Sequence, residues 1–228
     1  MDLARTERLT KLYGCVIGVN DLNSASDQFG SLRVRVDQEA SFRLTYASLG
    51  GLYARSRFEC RLVGRGASGD LTALYFGSGD QMHDFRTFQT HEAPDTSSNL
   101  VFKGAVDDRA HSVYTGMIRV GENARGTNAS QTNRNIKLSD EAWAESVPNL
   151  EINNNDVKCS HASAVGPIDE DQRFYLESRG VPPEVAERLV VSGFFEEVLE
   201  GIGHEPAAAM IRSLVQAAVG ATDAGATR

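Results

Sequence analysis

From Ser31 onward the chain alternates apolar and polar positions with a period of two. Leu32, Val34 and Val36 alternate with Arg33, Arg35 and Asp37, and Phe42, Leu44 and Tyr46 alternate with Arg43 and Thr45. Such alternation is the signature of half-buried β-strands. Further strand-like segments follow at 52–63, 71–76, 83–89, 99–106, 111–120, 135–138, 150–152 and 157–164. Between them lie Gly50-Gly51, Gly64-Arg65-Gly66, Gly77-Ser78-Gly79, Asp107-Asp108 and Gly121-Glu122-Asn123. No amphipathic helical stretch interrupts the region, which excludes a βαβ series. A run of short strands fits a sandwich, a barrel or a solenoid. Asn-Gly and Asp-Gly hairpin signals are absent between the strands. Asn128, Asn133, Asn135, Asn149 and Asn153 to Asn155 read as turn residues whose amides can bond from coil to coil. Both features favour a parallel β-helix over 42–164, with a sandwich as the competitor.

The pattern differs at the two ends. Residues 1–13 read as a short helix carrying Leu3, Leu9 and Leu12, and 20–30 as a loop. After Gly166 the period becomes helical. Asp169 with Gln172 forms a capping box, and Gly180 suits the position after a helix end. The acidic run Asp169 to Asp171 reads as first-turn carboxylates favoured by the helix dipole, in preference to a metal site. Pro182-Pro183 opens a second helix with Val185, Leu189, Phe194, Phe195, Val198 and Ile202 on its apolar face. Pro206 opens a third with Ile211, Leu214, Val215 and Ala218, and the last nine residues read as a frayed tail. The expected organisation is an N-terminal segment (1–30), a β-helix core (31–166) and a small α-helical domain (167–228).

The 228 residues are ample for a core. The net charge of −8 and pI near 5.2, with no basic run, argue against nucleic-acid binding. Cys15, Cys60 and Cys159 are too far apart for a disulfide framework or a CxxC site, so a reducing cytoplasm fits best. Neither a signal-peptide pattern nor an apolar run of membrane-spanning length is found. Asn128-Ala129-Ser130 is a formal glycosylation sequon that reads as an accident of a loop. His83, His91, Asp84 and Asp95 read as scattered polar positions. Phosphate-binding loops and nucleophile elbows are missing. Two classes therefore compete: a binding or assembly scaffold, and a β-helical carbohydrate-active enzyme with converging carboxylates. The acidic, cysteine-containing chain favours the scaffold.

The closest pairing of a thiol with an imidazole is Cys159 and His161, within 157–164. Two apart on a strand, they share a face roughly 6.5–7 Å apart, beside Val157, Ser163 and Val165. On spacing alone a hydrogen-bonded core histidine is the better reading, because a metal site normally needs three or four ligands and C-x-H offers two.

Three stretches carry a resemblance: HDFRTFQTHEAPDTSSNLVFKGAVDDRAHSVYTGMIRV (83–120), QTNRNIKLSDEAWAESVPNLEI (131–152) and DVKCSHASAVGPIDEDQRFYLESRGV (156–181). Together they resemble the SufB/SufD family, the scaffold proteins of SUF-system iron–sulfur cluster assembly, over about 30–201. The DVKCSHASAVG form resembles the SufD member, and the E-H-E-A type sequence typical of SufB is absent. The resemblance implies a right-handed parallel β-helix followed by a small helical domain, and no enzymatic activity for this subunit. It implies a heteromeric complex with a SufB-like subunit and a SufC-like ATPase docked on 169–201. It implies edge-to-edge pairing with SufB near 157–164, or a homodimer through the same edge when the partner is absent. It also carries the family's interface Cys-x-His onto Cys159 and His161 as ligands of a nascent iron–sulfur cluster shared with the partner. Residues 1–30 match poorly, and the further N-terminal region carried by family members is not found. That leaves the completeness and capping of the first coils without support from the resemblance.

Overall fold

The period-two segments fold into strands that never turn back on one another. The computed structural model describes residues 5–9, 13–23 and 25–225. The strands are β1 (Arg5–Leu9), β2 (Tyr13–Asn20), β3 (Asp27–Val36), β4 (Ser41–Ser48), β5 (Tyr53–Leu62), β6 (Ser68–Gly77), β7 (Met82–His91), β8 (Ser97–Val106), β9 (His111–Val120), β10 (Thr127–Lys137), β11 (Trp143–Ile152) and β12 (Val157–Pro167). Three helices follow, α1 (Glu170–Ser178), α2 (Pro183–Glu200) and α3 (Glu205–Gly225). Odd-numbered strands form one six-stranded sheet and even-numbered strands the other. Each strand pairs in parallel with the strand two places on. This is a parallel β-solenoid of about five turns, and the sandwich is excluded. Val36, Leu62, His91, Val120 and Ile152 stack in one column at unequal sequence intervals, which is why no strict repeat is visible in the sequence.

The lumen between the sheets is the main core. Leu44, Leu71 and Leu100 stack in register, and Phe58, Phe85 and Phe102 fill the space beside them, with Phe85 and Phe102 edge to face at 5.5 Å. Each such buried side chain contributes roughly 1.5–3 kcal/mol. The same corner of four successive coils holds a left-handed residue, supplied in turn by Glu39, Gly66, Asp95 and Gly126. Their amides donate to the next coil, at Arg65, Pro94, Arg125 and Asp156 carbonyls, 2.7–3.2 Å away.

The outer faces differ. The odd-strand sheet carries arginine–carboxylate ladders such as Arg61–Glu92 (2.8 Å) and Arg119–Glu151 (2.7 Å). The even-strand sheet presents Leu74, Phe76 and Ala105, which pack under Val191, Phe195 and Val198 of α2 and Ile211 and Val215 of α3. Helices and solenoid thus share a core. Lys103, 4% exposed on this sheet, is satisfied by donating to the Phe194 carbonyl at 2.9 Å and by pairing with Glu197.

Several expectations change. Residues 5–9 are a strand paired with β3, not part of a helix, and the rest of that expected helix up to residue 12 lies outside the described residues. The expected loop at 20–30 contains the start of β3. Asn128, Asn133 and Asn135 lie inside β10, and Asn149 inside β11. The sequon is therefore on a strand. Coil-to-coil amide bonds do occur, as Asn133 to the Phe102 carbonyl (3.3 Å), Asn149 to Gly116 (3.1 Å) and Asn154 to Glu122 (2.7 Å). The N-cap of α1 is Asp169, whose side chain accepts from the amides of Asp171 and Gln172. On α2 and just beyond it, Phe195, Val198 and Ile202 are buried as expected and Phe194 packs against them; Ala186, Val190, Val191 and Leu199 join the buried face, and Leu189 is half exposed. The expected frayed tail is helical as far as Gly225, and residues 226–228 lie outside the described part.

Candidate functional site

At the end of the solenoid that leads into the helices, β12 pairs only with β10 and β11 only with β9 among the described strands. The last coil therefore has an open side. On β10, Thr127, Ala129, Gln131, Asn133 and Asn135 are buried in the lumen. The register places Val157, Cys159, His161, Ser163 and Val165 on the same side one coil further. There Val157 and Cys159 are only half buried, and His161, Ser163 and Val165 are exposed. A core histidine is thus overturned. The face is luminal, as its spacing predicts, but the lumen is open at this coil.

Cys159 packs beside Val157 and Leu150 against Ile118, Val120 and Ala129. Burial pushes its thiol above the ordinary value, and a backbone hydrogen bond with Ala129 pulls the other way. Such a thiol is a weak nucleophile until a cation displaces its proton. Cys60, in contrast, is 1% exposed, and burial lifts its thiol to about 12, which makes it inert. Among the described residues no cluster of three or more His, Cys, Asp and Glu side chains could hold a metal. Cys159 and His161 form at most half of a coordination sphere, and soft thiolate with imidazole suits iron or zinc.

Behind this opening the lumen turns from apolar to polar. The Tyr75 hydroxyl donates to Asn135 Oδ1 at 2.5 Å and accepts from Asn133 Nδ2 at 3.2 Å, while Tyr114 shares a 2.8 Å bond with Thr87. Burial lifts the Tyr75 phenol to about 12, so it acts as a neutral donor. Gly104 leaves the space that the Tyr75 ring fills. His83 and His91, expected as scattered polar positions, are fully buried here, bonded to Ser48 (3.0 Å) and to Thr96 and Ser98 (2.8 and 2.9 Å). The sequence signal that identifies the polar lumen is parity: Gln131, Asn133 and Asn135 continue the odd-numbered run of Thr127 and Ala129. Starting the strand at 135 hides it.

A second surface lies on the helices. Tyr175 (58% exposed) and Leu189 (50%) stand in solvent at the rim of a groove of about 870 Å³ between α1 and α2, and Phe174 (71%) is exposed elsewhere on α1. Leu176, Val190 and Phe194 line it, with Asp169 and Asp171 at one end. No described helix is long and apolar enough to cross a membrane.

The family profile described as "SUF system FeS cluster assembly, SufBD core domain" matches residues 15–194. The match begins well before residue 30, consistent with β2 and β3 being full members of the two sheets. An iron–sulfur cluster assembly SufBD family protein of Mycobacterium tuberculosis is 40% identical over 176 residues, which are 74% of this chain and 44% of that protein. SufD of Escherichia coli is 32% identical over 157 residues, covering 69% of this chain and 37% of that protein. SufD of Bacillus subtilis is 34% identical over 155 residues, 68% of this chain and 36% of that protein. The chain spans less than half the length of these curated relatives.

Proposed function

Because this chain belongs to the SufB/SufD family of SUF-system iron–sulfur cluster assembly proteins, we propose that it works as a SufD-like scaffold subunit without catalytic activity of its own. The observation that carries this reading is the open last coil, which presents Cys159 and His161 on an edge strand. Unpaired strand edges call for a covering partner. A SufB-like subunit adds its own edge here and supplies the ligands that the described residues lack. The nascent cluster is the cargo of this boundary, with His161 contributing an imidazole nitrogen and Cys159 a thiolate formed as iron displaces its proton. When the partner is absent, a second copy occupies the same edge. The exposed aromatic groove on α1 and α2 receives a SufC-like ATPase, and the complex operates in the cytoplasm.

Co-expression with SufB-type and SufC-type subunits, followed by size-exclusion chromatography, tests this. All three are expected to co-elute. Val147→Arg with Val165→Arg, at positions 37% and 42% exposed on the last coil, is expected to release the SufB-type subunit and retain the ATPase. Tyr175→Ser with Leu189→Ser, both exposed on the groove, is expected to release the ATPase while leaving the melting temperature unchanged. Elution of this chain alone, whatever the partner concentration, would overturn the proposal.

A further inference from the structure

One luminal column reads Val16, Leu44, Leu71, Leu100, Gln131 and His161 from coil to coil. The aliphatic run breaks at Gln131, directly before the edge strand. Gln131 is 1% exposed, and neither its Oε1 nor its Nε2 has a hydrogen-bond partner. Its amide lies over Gly116: a Cβ at that position would sit 2.5 Å from both amide atoms. The neighbouring Tyr114 hydroxyl is engaged by Thr87. Ser146, the register partner of Tyr114 on β11, also has a buried hydroxyl without a partner. A leucine at 131 would continue the column and leave no orphaned polar group, so packing alone has no use for an amide here.

We propose that Gln131 is a positioning residue for His161: its buried amide, unbonded in this structure, takes up one ring nitrogen of the imidazole when iron is bound, so that the other is presented at the open coil. The inference rests on the reading of His161 as an iron ligand. Adjacent strands carry the two side chains on the same face in direct register. Metal-binding histidines commonly donate their second N–H to a carbonyl or carboxylate, which fixes tautomer and ring orientation. Gln131 Oε1 is a buried acceptor with no other partner.

The test uses the complex of this chain with SufB-type and SufC-type subunits, titrated anaerobically with ferrous iron. The melting temperature of each variant chain is measured alongside. Gln131→Leu is expected to raise the melting temperature while weakening iron binding roughly 10–100-fold, the effect usual for loss of such a partner. Gln131→Met, of equal length and without an amide, is expected to weaken iron binding to the same degree. Gln131→Glu keeps an acceptor and is expected to restore binding. The nitrogen-15 spectrum of labelled His161 is expected to show one tautomer in the parent and a mixture in Gln131→Met. Unchanged iron affinity in Gln131→Leu, with His161→Ala abolishing it, would overturn the positioning role alone. A lowered melting temperature accompanying the loss of iron would also overturn it, since that is a structural role. Unchanged affinity in His161→Ala would remove the underlying ligand reading.

Discussion

His83 and His91 sit in the lumen without exposure, and burial pushes both imidazoles down to about 4, a backbone contact with Phe76 opposing this slightly at His83. An unfolded imidazole takes up its proton near pH 6.5. These two remain neutral in the fold until about pH 4. Stability is therefore whole above pH 6.5 and declines as pH falls toward 4, by on the order of 3 kcal/mol per ring. Urea unfolding at pH 7.5 and 4.5 checks this. His91→Gln is expected to lose less stability across the interval than the parent, whatever its stability at pH 7.5. Equal losses would mean that the buried rings do not set the acid limb. A second residue-scale expectation concerns Gly104. A Cβ there would overlap the Tyr75 ring, whose hydroxyl is tied to Asn133 and Asn135. Gly104→Ala is expected to cost about 3 kcal/mol or more, as overpacking of a closed core can. Gly193→Ala, which meets nothing within 4 Å, is expected to cost nothing or to stabilise the helix. Chemical denaturation of the pair gives the comparison.

At the scale of elements, the sequence revealed what one-sided burial writes into it. β5 and β9 lie in the sheet whose outer face is solvated, and burial alternates cleanly along them. β4, β6 and β8 end in runs buried on both faces because α2 and α3 cover them, so alternation fades there. β10 escaped for another reason: apart from Ala129 its inward residues are Thr, Gln and Asn, and an apolar period cannot mark a polar lumen. The capping chemistry of α1 was legible because Asp169 acts locally. On α2 and just beyond it, Phe195, Val198 and Ile202 were legible as the buried face, while the exposure of Leu189 was not, because packing against the sheet and the other helices decides it. Lys103 shows that coupling. Its ammonium lies 4.7 Å from the Phe194 ring and is tied to the Phe194 carbonyl and Glu197. Lys103→Ala removes its bond to that part-buried carbonyl and the packing of its stem, and roughly 2 kcal/mol is the expected cost. Glu197 is 67% exposed, so Glu197→Gln is expected to cost well under about 1 kcal/mol. Urea midpoints of the two variants separate buried satisfaction from surface charge.

For the whole molecule, one solenoid carries two unlike surfaces. The helices close the even-strand sheet and leave an aromatic groove, while the last coil stays open with a thiol and an imidazole on its edge. The pairing of Cys159 with His161 was legible from their two-residue spacing. Their exposure was not, because it depends on β12 having no further strand to cover it. The most direct measurement replaces His161 with Ala in the complex reconstituted with SufB-type and SufC-type subunits. Iron and sulfide content and the melting temperature of the chain are recorded together. An exposed imidazole that acts as a ligand predicts an unchanged melting temperature and a clear loss of bound iron and sulfide. A lowered melting temperature with full iron and sulfide would contradict it, and would make His161 a structural residue.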